Sequence, residues 1–417
     1  MNTNIAMKYN RRIFPLYKGF GWDPLFYAAT IFLFLTEIKG IDPAKVMYAE
    51  SAYAFFLLLF QIPATILIER IGSRKSLLIG CALETLQLTM MIFANRFSYL
   101  VIAYSMSAFG NAIKDVARYT LLYDSTKICK GKNSFGNIDA KGSSLSYILS
   151  ATTSILAGYL YVINPYIPIS LSVLMSLLAM ILAYRFEEVE IKNNEKTTIW
   201  EQLKDMKYGF TFITKSKRLR ALFLFTSIFV GVLMMISTYE KSLLKDLQIA
   251  PQYFGIITAS LTLVQCFSVQ YQDKIHHTFR NKTLAFLSIP IFISFIITGL
   301  VTNLNLNYIL TIMVVLLAFF LHHFFRAPYW VIQNRYVTNF TTTKMRAKIL
   351  SASNLLNGLG RILISFLGGL LLDFYCTSHA YLIIGMVGLC IILLVLWYMR
   401  SRIGLSPEEY SESDVQS

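Results

Sequence analysis

The sequence predicts an all-α polytopic membrane protein, with twelve transmembrane helices arranged as two pseudo-symmetric six-helix bundles. Three observations carry this. Apolar runs of about 20 residues, the length of a bilayer-spanning helix, recur along the whole chain. Only 15% of the 417 residues are charged against 55% hydrophobic, and a soluble protein of this size needs far more charge to cover its surface. The charges that are present collect in every second loop. A β-barrel would instead show short alternating segments.

Residues 1–12 are polar and basic (Lys8, Arg11, Arg12) and read as a cytoplasmic start. The first apolar stretch, about 14–37, carries Lys18 and Asp23. It therefore reads as a first spanning helix and not as a signal peptide. Spans two to six fall at about 46–68, 76–94, 98–124, 143–163 and 166–185. In the hydrophilic stretch that follows, Trp200, Leu203, Met206 and Phe210 recur at helical spacing. They predict an amphipathic helix along the inner membrane face, with lysines suited to anionic head groups. Spans seven to twelve fall at about 221–240, 252–271, 283–302, 306–332, 347–373 and 379–399. The expected domains are a first bundle over 1–186, a cytoplasmic linker over 187–219, a second bundle over 220–400 and a polar cytoplasmic tail over 401–417.

Orientation follows from the basic residues. One set of loops carries Arg70, Arg74 and Lys75, then Lys127, Lys130, Lys132 and Lys141, then Lys274, Arg280 and Lys282, then Arg335, Lys344, Arg346 and Lys348. The alternate loops carry Lys39, Lys45, Arg96, Lys241 and Lys245. Both termini are expected in the cytoplasm. The same placement explains the net charge of +15 as membrane topology and argues against a nucleic-acid partner. The five cysteines are scattered, so neither a disulfide nor a metal site is expected. The halves also echo each other. Asp139-Ala140-Lys141 recurs as Arg346-Ala347-Lys348, Arg118 falls near Arg326, and Glu69-Arg70 has a counterpart in Asp273-Lys274. Two related six-helix halves around a central site are a transporter architecture.

Ionisable groups inside the bilayer cost several kcal/mol unless they face a cavity or a partner, so each one is a functional candidate. The first span carries Asp23 beside Trp22, and the third carries Glu84 with Gln87. The fourth carries Asn111, Lys114, Asp115 and Arg118, of which Asp115 and Arg118 share a helix face and can pair. Lys114 has the option of snorkelling. The tenth carries His322, His323 and Arg326, and the eleventh Asn354, Asn357 and Arg361 along one stripe. Glu50, Glu240 and Lys241 fall near outer helix ends, where hydration makes a surface role the better reading. Among the inner groups, Asp115 and Asp23 are the candidates for a proton-coupling carboxylate, each with a cation in reach. Cations slightly outnumber acids, which favours an anionic or zwitterionic substrate.

Between the second and third spans lies Glu69-Arg70-Ile71-Gly72-Ser73-Arg74-Lys75. Gly72 permits a turn too tight for a residue with a Cβ. The run resembles the Gly-x-x-x-Asp-Arg-x-Gly-Arg-Lys/Arg loop of the major facilitator superfamily. Glu69 takes the acidic place, Arg70, Gly72 and Lys75 stand as that pattern has them, Arg74 keeps the basic character, and Thr65 replaces the leading glycine. Leu121-Leu122-Tyr123-Asp124-Ser125 is similar to a Leu-x-Tyr-Asp-Ser ending of the fourth span in many bacterial members.

The resemblance implies a central cavity lined by spans one, four, seven and ten. It also implies a gating role for Glu69, Arg70, Gly72, Arg74, Lys75 and Asp273. The helix-five signature of drug/proton antiporters is not matched: Ser150 to Gly158 has no proline.

The function expected is secondary active transport of a small molecule by alternating access, coupled to a proton or another ion. The protein is expected to act as a monomer in a bacterial cell membrane and to use no cofactor. Drug efflux by antiport and metabolite uptake by symport both stay open. A membrane-embedded enzyme or a transporter-like sensor is the remote alternative. The sequence shows no nucleophile–base arrangement, metal spacing or phosphate loop.

Overall fold

The computed structural model describes residues 3–127, 134–188, 199–304, 306–339, 346–400 and Ile403. Most of the predicted tail, much of the linker, and the loop cations Lys130, Lys132 and Lys344 lie outside the described residues. The described chain is helical throughout, without strands. The helices are α1 (Thr3–Gly21), α2 (Ile31–Leu33, continued by a π-helical turn over Phe34–Ile38), α3 (Pro43–Ile71), α4 (Ser73–Ile92), α5 (Phe97–Thr126), α6 (Phe135–Ile163), α7 (Tyr166–Tyr184) and α8 (Ile199–Lys215). They continue with α9 (Lys217–Asp246), α10 (Pro251–Val269), α11 (Gln272–Phe279), α12 (Thr283–Asn303), α13 (Tyr308–Asn339), α14 (Arg346–Phe374) and α15 (Thr377–Arg400).

Ten helical stretches among the described residues are long and apolar enough to cross a membrane: α3, α4, α6, α7, α9, α10, α11 with α12, α13, α14 and α15. The other two predicted spans differ for visible reasons. Helix α5 is 30 residues long, but Asn111, Lys114, Asp115 and Arg118 interrupt its apolar run. The first span, expected as one helix over 14–37, is broken. Helix α1 stops at Gly21 and helical structure resumes at Ile31. The sequence there is Gly19-Phe20-Gly21-Trp22-Asp23-Pro24. Glycines weaken a helix interior, and Pro24 denies Asp23 the helical region and supplies no N–H. Phe26 sits at a φ of 61°, an uncommon value for a bulky residue.

Irregular backbone is tolerated at membrane depth where its polar groups find partners. Here Ser172 Oγ on α7 donates to Leu25 O at 2.7 Å, and Lys114 Nζ on α5 reaches Gly21 O at 3.5 Å.

The helices group into two compact units. Unit 1 holds Met1–Asp42, Ala52–Gln202 and Ile249–Ala259; unit 2 holds Pro43–Ser51, Leu203–Gln248 and Ser260–Ser417. In unit 1, α4 packs on α5 and α7, and α1 on α6 and α7. The α4–α5 crossing is close because Gly80 faces Gly110: a Cβ on Gly80 would meet Gly110 O at 3.0 Å. Small residues let membrane helices approach in this way. In unit 2, α9 packs on α14 and α15, and α12 on α13 and α15. The first nine residues of α3 group with unit 2, where Ser51 Oγ donates to Ile362 O at 2.8 Å.

Candidate functional site

Unit 1 gathers its charges around the break in the first span. Lys18, at the end of α1, points to α6, where its ammonium meets Asp139 at 2.5 Å and Ser143 Oγ at 2.7 Å. Lys114 does not snorkel: it is 1% exposed and meets Glu84 of α4 at 2.7 Å. Arg118 meets Asp115, one turn away on α5, at 2.5 Å. Trp22 lies among these cations, with Lys18 Nζ 4.2 Å and Arg118 Cζ 3.9 Å from its ring centroid. Tyr119 meets the same ring edge-on at 6.3 Å. Asn111 donates to Tyr53 Oη at 3.1 Å.

Three cations thus have three acids. Asp23 is the carboxylate left over. It sits on the non-helical segment, is exposed, and makes no hydrogen bond or ion pair among the described residues. Lys114 and Arg118 act on it at longer range.

Unit 2 brings together a different set. Glu240 of α9 is buried, with both carboxylate oxygens 3.1 Å from His323 Nε2 on α13. His322 Nδ1 stands 3.5 Å from the same carboxylate. Arg326, one turn further along α13, lies within electrostatic reach of Glu240 and of Arg361 on α14. Asn357 precedes Arg361 by one turn on the same helix face. Thr238 hydrogen-bonds to Glu50.

The expectation that Glu240 is a hydrated outer-end residue is therefore corrected. The span ending predicted at 240 runs on to Asp246, so six more residues place Glu240 about 9 Å inside the helix.

The polar loop between α3 and α4 is held from a direction the sequence did not reveal. Gly72 has a φ of 89°. The carboxylate of Glu188, just beyond α7, accepts the backbone N–H groups of Ser73 and Arg74, each at 2.8 Å. It caps the start of α4 in the place where a negative group is favoured. Arg74 donates to Tyr184 O at 2.6 Å through Nη2 and at 3.2 Å through Nε. Glu69, Arg70 and Lys75 are exposed.

Next to this clasp the buried Asn10 pairs its side-chain amide with the backbone of Glu187, at 2.8 and 2.9 Å. In unit 2, Asp273 on the short helix α11 pairs with Arg335 at the end of α13. Lys18, Asp139, Glu188, Glu240 and Gln265 were not singled out from the sequence as site residues. Only Lys18 and Glu240 gave a signal, as charges inside or beside an apolar run.

The sequence profile of the Major Facilitator Superfamily matches residues 19–319. No curated protein matches the chain. Among solved structures, the nucleoside transporter NupG superposes with a TM-score of 0.72 at 11% identity, covering 96% of this chain and 100% of its own. A D-xylose–proton symporter gives 0.68 at 10% identity, with 95% and 97% covered. A POT family transporter in complex with 5-aminolevulinic acid gives 0.67 at 13% identity, with 96% of each chain covered. At these identities the likeness is one of fold.

Proposed function

The chain belongs to the Major Facilitator Superfamily and is a transporter rather than an enzyme, and from that premise we propose that it carries a small molecule by proton-coupled alternating access, with Asp23 as the coupling carboxylate. The observation that supports this is the charge pairing in unit 1. Lys18, Lys114 and Arg118 are each matched by a carboxylate at 2.5–2.7 Å. Of the charges gathered at the break in the first span, Asp23 is the one with no hydrogen bond or ion pair among the described residues. A carboxylate whose protonation breaks no existing ion pair can exchange a proton at low cost, and cations nearby make its charge sensitive to small movements. Asp115, the other candidate, is engaged by Arg118.

A discontinuous spanning helix is also where transporters place their substrate and ion sites. One of the similar folds is described as a proton symporter. The protein resides in the cell membrane, with both termini cytoplasmic.

The substrate class is found first, by thermal shift of the purified protein across metabolites and antibiotics, since a ligand stabilises the folded state by mass action. Uptake of the hit into proteoliposomes under an imposed pH gradient then tests the coupling. Asp23→Asn should abolish gradient-driven accumulation and keep substrate counterflow. Full accumulation by Asp23→Asn would remove Asp23 from the role.

A further inference from the structure

Unit 2 holds a buried titratable cluster of its own, centred on Glu240. Glu240, its side chain 6% exposed, faces His323 Nε2 with both oxygens at 3.1 Å. His323 Nδ1, on the opposite side of the ring, meets the side-chain amide of Gln265 on α10. His322 packs its ring against Phe295 of α12, centroids 4.7 Å apart, and neither of its ring nitrogens makes a hydrogen bond. The other charged or titratable groups around Glu240 are Lys241 on α9, Arg326 on α13 and Tyr381 on α15. Arg361 on α14 lies within electrostatic reach of Arg326, and Glu50 at the start of α3 within reach of Lys241 and Arg361.

Gln265 makes this more than a structural pair. With His323 neutral, Nε2–H donates to Glu240 and Nδ1 accepts from the Gln265 amide nitrogen. With His323 protonated, both ring nitrogens donate. A half-turn of the Gln265 amide then presents its oxygen to Nδ1, because the two ends of an amide occupy nearly the same space. Each charge state of the imidazole leaves no ring nitrogen unpaired, and Glu240 supplies the counter-charge to the protonated one. A buried donor or acceptor left unmade would cost the full desolvation of that group. A partner that reads only one state would lock the histidine; glutamine serves both.

We propose that Glu240, His323 and Gln265 form a proton-binding site within unit 2, additional to Asp23, which loads a proton from water onto His323 Nδ1 and returns it. Its use in transport rests on the transporter reading above; its existence does not.

The test uses full-length protein carrying ¹³C-labelled histidine, with the His323 signal identified by its loss in His323→Gln. The wild-type signal should move between the neutral and the protonated imidazole positions over the pH range in which the protein stays folded. Glu240→Gln should displace the midpoint by about one pH unit or more, because the counter-charge is gone. Gln265→Leu should displace it as well, because one charge state loses its partner. A His323 signal fixed in one charge state across the range overturns the proposal. So does a midpoint unmoved in both variants. If Glu240→Gln does not fold, Gln265→Leu decides alone. Asp23→Asn should leave the His323 titration in place, so loss of the Asp23 reading and loss of this one give different results.

Discussion

Lys114 and Glu84 offer the sharpest energetic test. Their charged atoms lie 2.7 Å apart, and the two side chains are 1% and 8% exposed. Neither charge has water to fall back on. Removing one partner of such a pair strands the other and costs about 3–5 kcal/mol. Replacing both by apolar groups of similar shape removes the problem and is close to neutral. Lys114→Met and Glu84→Met should therefore each lower the melting temperature of the detergent-purified protein by on the order of 10 °C. The double variant should recover most of that loss, giving a coupling of about 2 kcal/mol or more in a double-mutant cycle.

The Lys114 stem also fills the Gly80–Gly110 crossing, lying 2.6 Å from where a Gly80 Cβ would stand. Methionine keeps that stem, so the cycle isolates the charge. Additive single effects, with coupling below about 0.5 kcal/mol, would refute the reasoning. They would mean that the pair is solvated in use.

The remaining predictions concern the α3–α4 loop. Glu188→Gln keeps one acceptor but turns a donor toward the N–H groups of Ser73 and Arg74. It should speed amide hydrogen exchange at residues 72–75 about tenfold, matching a lost hydrogen bond of about 1.4 kcal/mol, and leave α12 and α15 unchanged. Gly72→Ala meets two obstacles, a φ of 89° and a contact of 2.8 Å with Glu188 Cδ. It should lower stability by about 1–3 kcal/mol from strain alone. In a Glu188→Ala background the clash disappears and the strain stays, so the substitution should cost less there but not nothing, as read by thermal unfolding.

That the chain is a set of membrane-length helices was legible because hydropathy decides it. A run of some 20 apolar residues has one low-energy form in a bilayer, and only the helix ends were open. The break in the first span shows where that logic stops. Gly21 and Pro24 signal it, but the apolar run continues past both and by hydropathy alone predicts one helix. Glu240 was misplaced for a related reason. Hydropathy falls at Glu240-Lys241, while hydrogen bonding and packing carry α9 on to Asp246. Pairings within one helix, such as Asp115 with Arg118, follow from spacing. Those between helices, such as Lys18 with Asp139 over 121 positions, depend on helix rotation, which one sequence does not fix. Glu188 was invisible for the opposite reason: it lies in an ordinary polar stretch, and only the fold brings it to the start of α4.

The two units handle buried charge in different chemical terms, and that difference bears on coupling. Unit 1 matches lysine and arginine with carboxylates. Groups of those types keep their charge over the physiological range when paired, so the pairs fix geometry and leave Asp23 as the group free to change. Unit 2 sets Glu240 against His322 and His323, with His323 as the group proposed to change charge there. A carrier that had only the first arrangement would bind protons at one place, the exposed Asp23 at the break in the first span. With the second it has another place, enclosed by α9, α10 and α13, where a proton can be held without a water path on every side. Counting protons moved per substrate in Asp23→Asn and His323→Gln therefore separates the contributions. A ratio that falls in one variant alone assigns coupling to that unit, and a ratio that falls in both requires the two sites to load in the same cycle.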